Sequence, residues 1–74
     1  MPVNREKFSL TSKQRDIMDY IVQVQEATGV TPTQRGISQQ FGIAQATVAK
    51  HLASIERRGW IQRAKGFKNG MTIL

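Results

Sequence analysis

The chain predicts a mainly α-helical fold with a small β-hairpin, and three observations carry that expectation. A long amphipathic segment is followed by two shorter ones hinged at Gly42, and all three end at or near a glycine. Two brief apolar runs close the chain on either side of a turn-rich stretch containing Asn69-Gly70. Three helices and a terminal hairpin make a three-helix winged helix-turn-helix. Residues 1–10 show no periodicity and read as a flexible N-terminal arm, leaving 11–74 as one domain.

Thr11-Ser12-Lys13-Gln14 has the capping-box pattern, in which the Thr11 hydroxyl and the Gln14 side chain each satisfy an orphan amide. The first helix then runs to about Thr28, with Ile17, Ile21, Val24 and Thr28, plus Met18 and Val22, on the buried stripe. Gly29 ends it, and Val30-Thr31-Pro32 reads as extended because a residue before proline avoids the helical region. Thr33 is the expected N-cap of a second helix over Gln34 to Phe41. Gly36 inside that helix costs about 1 kcal/mol relative to alanine, which suggests close approach to a neighbour or simple tolerance. Gly42 makes the turn, the third helix covers about Gln45 to Arg58, and Gly59 closes it. Trp60 to Ala64 and Met71 to Leu74 read as paired strands, with Asn69-Gly70 a strong hairpin signal.

Ile37, Phe41, Ile43, Val48, Leu52 and Ile55 point to one side of the helix pair. Thr47, Lys50, His51 and Ser54 follow the spacing i, i+3, i+4, i+7, which gathers hydrogen-bonding side chains on one stripe opposite the core. A helix with a packed back and a polar, cationic front suits a DNA major groove.

Charge placement agrees. Through Glu26 four cations balance four acids, whereas from Ala27 onward seven cations face Glu56 alone. The whole excess of +6 therefore lies with the helix pair and the hairpin. Polyanion binding follows, nucleic acid first. With no cysteine, neither disulfides nor thiolate metal sites can supplement the core. A domain this short has an expected stability of about 3–5 kcal/mol. No apolar run approaches the roughly 20 residues that span a bilayer, and the N-terminus lacks an apolar signal core, so a cytoplasmic protein is expected.

The residues LTSKQRDI, then TPT, ISQQFG, TVAKHLASIERRGWI and GMTIL resemble the N-terminal DNA-binding domain of LexA-type repressors from Leu10 to Leu74. The TVAKHLASIERRGWI part also recurs in bacterial winged-helix regulators, so it specifies the fold better than the subfamily. Three departures stand out: Gly36 replaces a usual acidic residue, Asn69 replaces an arginine before the wing's last glycine, and the turn into the third helix looks one residue shorter. The family's self-cleaving protease domain, with its cleavage site and dimer surface, is not among these residues. Operator identity and damage-triggered autoproteolysis do not carry over.

The resemblance implies that Gln45, Ala46, Thr47 and Lys50 meet bases. Gln45 can pair with adenine, Lys50 with guanine, and Thr47 can touch a thymine methyl or a phosphate. Ser54 continues the stripe. His51 lacks partners for catalysis or metal binding, and a phosphate contact or packing between helices is the expectation. Thr33, Gln34 and Arg35 open the second helix, whose free amides can hold a phosphate, though Thr33 can equally be only a cap. Lys65, Lys68 and Asn69 can straddle the backbone or enter the minor groove. Phe67 at the tip can wedge against a sugar or fold back onto the wing. Trp60 is expected beneath the hairpin, and Arg57 and Arg58 suit the negative end of the third helix.

The resulting expectation is a sequence-specific double-stranded DNA-binding transcriptional regulator, a repressor first. It needs no cofactor, metal, small-molecule ligand or membrane and is not an enzyme. Free, it is a monomer, and two copies can meet on a symmetric site. The alternative is a winged-helix module that binds a protein, such as an antirepressor or an assembly adaptor. The acid-free stripe of the third helix discriminates, because a protein-binding face would more often carry exposed apolar residues.

Overall fold

The Thr11 hydroxyl accepts from the Gln14 backbone N–H at 3.1 Å, and the Gln14 side chain accepts from the Thr11 N–H at 3.3 Å. That reciprocal box starts α1 (Ser12–Thr28) in a computed structural model that describes residues 10–63 and 70–74. The arm residues 1–9 and Ala64 to Asn69 lie outside the described residues. Leu10, at the end of the expected arm, is half-buried against the core.

Thr33 caps α2 (Gln34–Phe41) by accepting from the Gly36 N–H at 2.8 Å. A Cβ on residue 36 would lie 3.2 Å from that same hydroxyl, so the close neighbour of Gly36 is the cap itself. Gly42, at φ 66, takes a left-handed turn that side chains rarely adopt. The Ile43 N–H donates to the Ser38 carbonyl, and the Ser38 hydroxyl donates to the Ile43 carbonyl. Both polar ends of the turn are thereby satisfied within six residues of chain.

The third helix, α3 (Gln45–Arg57), ends one residue earlier than the sequence suggests. Arg58 is its C-cap, and Gly59 follows at φ 87 to turn the chain into the hairpin. The hairpin is β1 (Ile61–Arg63) against β2 (Met71–Ile73), antiparallel, with Ile61 opposite Ile73 and Arg63 opposite Met71. Trp60 and Leu74, expected within the strands, flank them instead, joined by a Leu74 N–H to Trp60 carbonyl bond, and Ala64, the expected end of β1, lies outside the described residues.

The core draws Ile17, Met18 and Ile21 from α1, Ile37 from α2, Val48, Leu52 and Ile55 from α3, and Ile61 from β1. Each such side chain contributes about 1.5–3 kcal/mol by leaving water. Trp60, Phe41, Ile43, Met71 and Ile73 pack around this centre half-buried. Phe41 meets Tyr20 edge to face with centroids 5.8 Å apart, and the Lys13 ammonium lies 5.4 Å from the Phe41 centroid.

The α1 stripe needs one correction. Val22 and Val24 are half-buried, and Thr28 is exposed, its hydroxyl donating to the Val24 carbonyl at 2.8 Å. Gln14, in the first turn of α1, is buried. Among the described residues no helix is long and apolar enough to cross a membrane.

Candidate nucleic-acid interface

The period of α3 divides it cleanly. Val48, Leu52 and Ile55 are fully buried, while Gln45, Ala46, Thr47 and Lys50 are exposed at its start. No acid occupies the first turn, and Ala44 at the N-cap makes no side-chain hydrogen bond. Thr11 and Thr33 cap the other two helices, so of the three α3 alone starts without a side-chain cap, its Thr47 N–H donating instead to the Ala44 carbonyl at 3.0 Å.

Two helix starts are held side by side. The Gln34 side-chain Nε2 donates to the Gln45 carbonyl at 3.2 Å, tying the first residue of α2 to the first residue of α3. Thr33 and Gln34 are half-buried and Arg35 is exposed. Thr33, Gln34, Arg35, Gln45, Ala46 and Thr47 thus occupy neighbouring first turns, with Lys50 one turn further along α3. The Thr33 hydroxyl is engaged in capping and the Gln34 amide in bridging, while the Arg35 guanidinium is exposed.

His51 and Ser54 are half-buried, on the edge of the stripe nearer the body of the protein. The His51 Nδ1 lies 3.4 Å from the buried Gln14 Nε2 on α1, so the imidazole is packed between helices. Gln14 is legible in the sequence only as half of a capping box; its second partner is 37 residues away. No group of His, Cys, Asp and Glu residues that could hold a metal occurs among the described residues.

Glu56, the lone acid of this half of the chain, is committed to the hairpin. Its Oε2 accepts from the Arg63 backbone N–H at 3.0 Å and its Oε1 from the Arg63 Nε at 2.9 Å. Lys65, Lys68 and Asn69, with Phe67, lie outside the described residues, between Arg63 and Gly70.

A family model for the LexA DNA binding domain matches residues 7–68. The chain is 35% identical over 65 residues to the LexA repressor of Citrifermentans bemidjiense, which covers 86% of this chain and 32% of that protein. It is 35% identical over 66 residues to LexA repressor 2 of Geobacter sulfurreducens, covering 88% and 32%. With the LexA repressor of Verrucomicrobium spinosum the identity is 40% over 58 residues, covering 77% and 29%. The chain thus spans about a third of the length of these relatives.

Proposed function

The chain belongs to the LexA DNA binding domain family, and from that premise we propose that it is a sequence-specific double-stranded DNA-binding regulator of transcription, a repressor acting in the cytoplasm. The N-terminal half of α3 enters the major groove, with Gln45, Ala46, Thr47 and Lys50 at base edges. Arg35 and the start of α2, with Thr33 and Gln34, meet the adjacent phosphates. His51 and Ser54 border the same strand, and Lys65, Lys68 and Asn69 of the wing follow the backbone or the minor groove. It works as a reader without cofactor or catalytic step.

One observation carries this reading: an exposed, acid-free helix start with no side-chain cap, backed by three fully buried apolar residues. Positive helix ends and unneutralised cations attract phosphate, and short polar side chains reach bases. The alternative of a protein-docking module has less support, because the outward face of this helix offers no large apolar side chain. Titration against duplex DNA over a range of salt, followed by selection of bound sequences, is the test. Enrichment of a common motif together with a steep salt dependence is the expected result. Tight, salt-insensitive binding to a protein with no duplex binding would reverse the assignment.

A further inference from the structure

From the bond between Gln34 and the Gln45 carbonyl we infer that Gln34 is a positioning residue for base reading, bracing the first turn of α3 against α2 and so aiming Gln45. The inference deepens the proposed DNA-binding function and rests on it.

The first turn of α3 lacks two supports that hold helix starts elsewhere in the fold. Packing begins only at Val48, which is fully buried, whereas Ala44, Gln45, Ala46 and Thr47 are all exposed. Ala44 at the N-cap makes no side-chain hydrogen bond, unlike Thr11 and Thr33 at the starts of α1 and α2. A helix end that is neither packed nor capped frays, because its terminal groups lack intrahelical partners. Gln34 supplies a restraint from the neighbouring helix: its Nε2 donates to the Gln45 carbonyl at 3.2 Å. The amide nitrogen only donates and the carbonyl only accepts, so the direction of this bond is fixed.

The place of the bond gives it leverage. It closes a loop of chain from residue 34 to residue 45 that contains α2 and the Gly42 turn. Gln34 itself stands on firm ground, between the Thr33 cap and Ile37, which is fully buried on the same helix. The restraint therefore runs from the core through the start of α2 to the backbone of Gln45. Gln45 reads a base only when its amide meets the base edge in line, and hydrogen bonds weaken steeply with misalignment. A frayed first turn would leave Arg35 exposed to phosphates as before, so loss of the brace falls on discrimination rather than on attraction.

Each role for Gln34 gives a different result. A phosphate contact contributes equally on every duplex. A direct base contact contributes to discrimination independently of Gln45. A brace contributes to discrimination through Gln45.

The experiment measures affinities of the full chain and its variants for a duplex selected by the parent and for its scrambled counterpart. Circular dichroism melts fix a temperature at which each variant is folded. Gln34→Met keeps the length of the side chain and removes the donor. The ratio of selected to scrambled affinity should fall about fivefold, the worth of one neutral hydrogen bond. Gln34→Glu keeps the shape but sets a carboxylate oxygen against the Gln45 carbonyl. Its repulsion of phosphate cancels in the ratio, which should fall to the same extent or further; this variant answers the question if the Met variant does not fold. In a Gln45→Ala background the Met change should lower the ratio by less than about twofold, because the side chain it aims is gone. Equal losses on both duplexes would make Gln34 a phosphate contact only, and an undiminished fall in the Gln45→Ala background would make it a base contact. Either result overturns the brace alone, as does a ratio like the parent's in both variants. A parent that binds selected and scrambled duplexes alike overturns the proposed function and this inference with it.

Discussion

Gln14 on the first turn of α1 and His51 in the middle of α3 are joined side chain to side chain, Nε2 to Nδ1, at 3.4 Å. The Gln14 amide is oriented from its other end, because its oxygen accepts the Thr11 N–H of the capping box. The amide nitrogen only donates, so the contact is a hydrogen bond when His51 Nδ1 is the accepting nitrogen and the ring proton is on Nε2. One buried glutamine therefore both starts α1 and contacts an imidazole on the helix proposed to read DNA. Removing it should matter twice. Gln14→Ala should lower stability by about 1–2 kcal/mol through the lost cap and contact, read by chemical denaturation. Nitrogen NMR of the parent should show the Nε2-protonated tautomer, and the variant a mixture; a parent already mixed would dissolve the link.

Base reading is tested at the start of α3. Lys50→Ala and Gln45→Ala should each weaken binding to the selected site by about 1–3 kcal/mol and relax discrimination there. Both residues are exposed, so folding should be unaffected. If both variants separate preferred from scrambled duplexes as the parent does, another surface reads the sequence.

The wing lysines should behave otherwise. Lys65→Ala and Lys68→Ala should weaken binding to all sequences alike, each lowering the slope of log affinity against log salt by roughly 1. Unchanged slopes would remove the wing from the interface.

Ala44 sets stability against binding. Asp at that N-cap can accept from the first amides of α3, and Ala44→Asp should raise stability by about 1 kcal/mol. The same carboxylate would occupy amides offered to DNA and repel phosphate, so affinity should fall on every duplex. A melt and a binding titration on one sample check both signs. Higher stability with undiminished affinity would mean that this helix end stays clear of DNA.

Free in solution the chain should be a monomer, with a second copy gained on DNA. Stable dimers usually bury more than about 1,000 Å², and the large hydrophobics most exposed among the described residues are Val30 and Leu74. Two copies on a symmetric duplex would read half-sites about one helical turn, 34–36 Å, apart. Sedimentation of the free protein and of its complex decides; a tight micromolar dimer without DNA would reveal an unrecognised interface.

The amino-acid sequence by itself determined the elements and their punctuation. Thr11 with Gln14, Thr33, Gly29, Gly42 and Gly59 act through hydrogen bonds and dihedral preferences within a few residues, so their effects are written locally. The apolar period likewise picked out the buried face of α3, and the one-sided charge located the basic half. Tertiary structure decided which side chains those elements hold in place. Gln14 meets His51, and Gln34 meets the Gln45 carbonyl, only because α1, α2 and α3 pack where they do. Glu56 reaches Arg63 only because the chain reverses at Gly59. Thr28 fits the helical period of the α1 stripe yet is exposed, since a stripe is buried only as far as neighbours extend to cover it. Periodicity specifies direction around a helix axis, and packing specifies what lies in that direction.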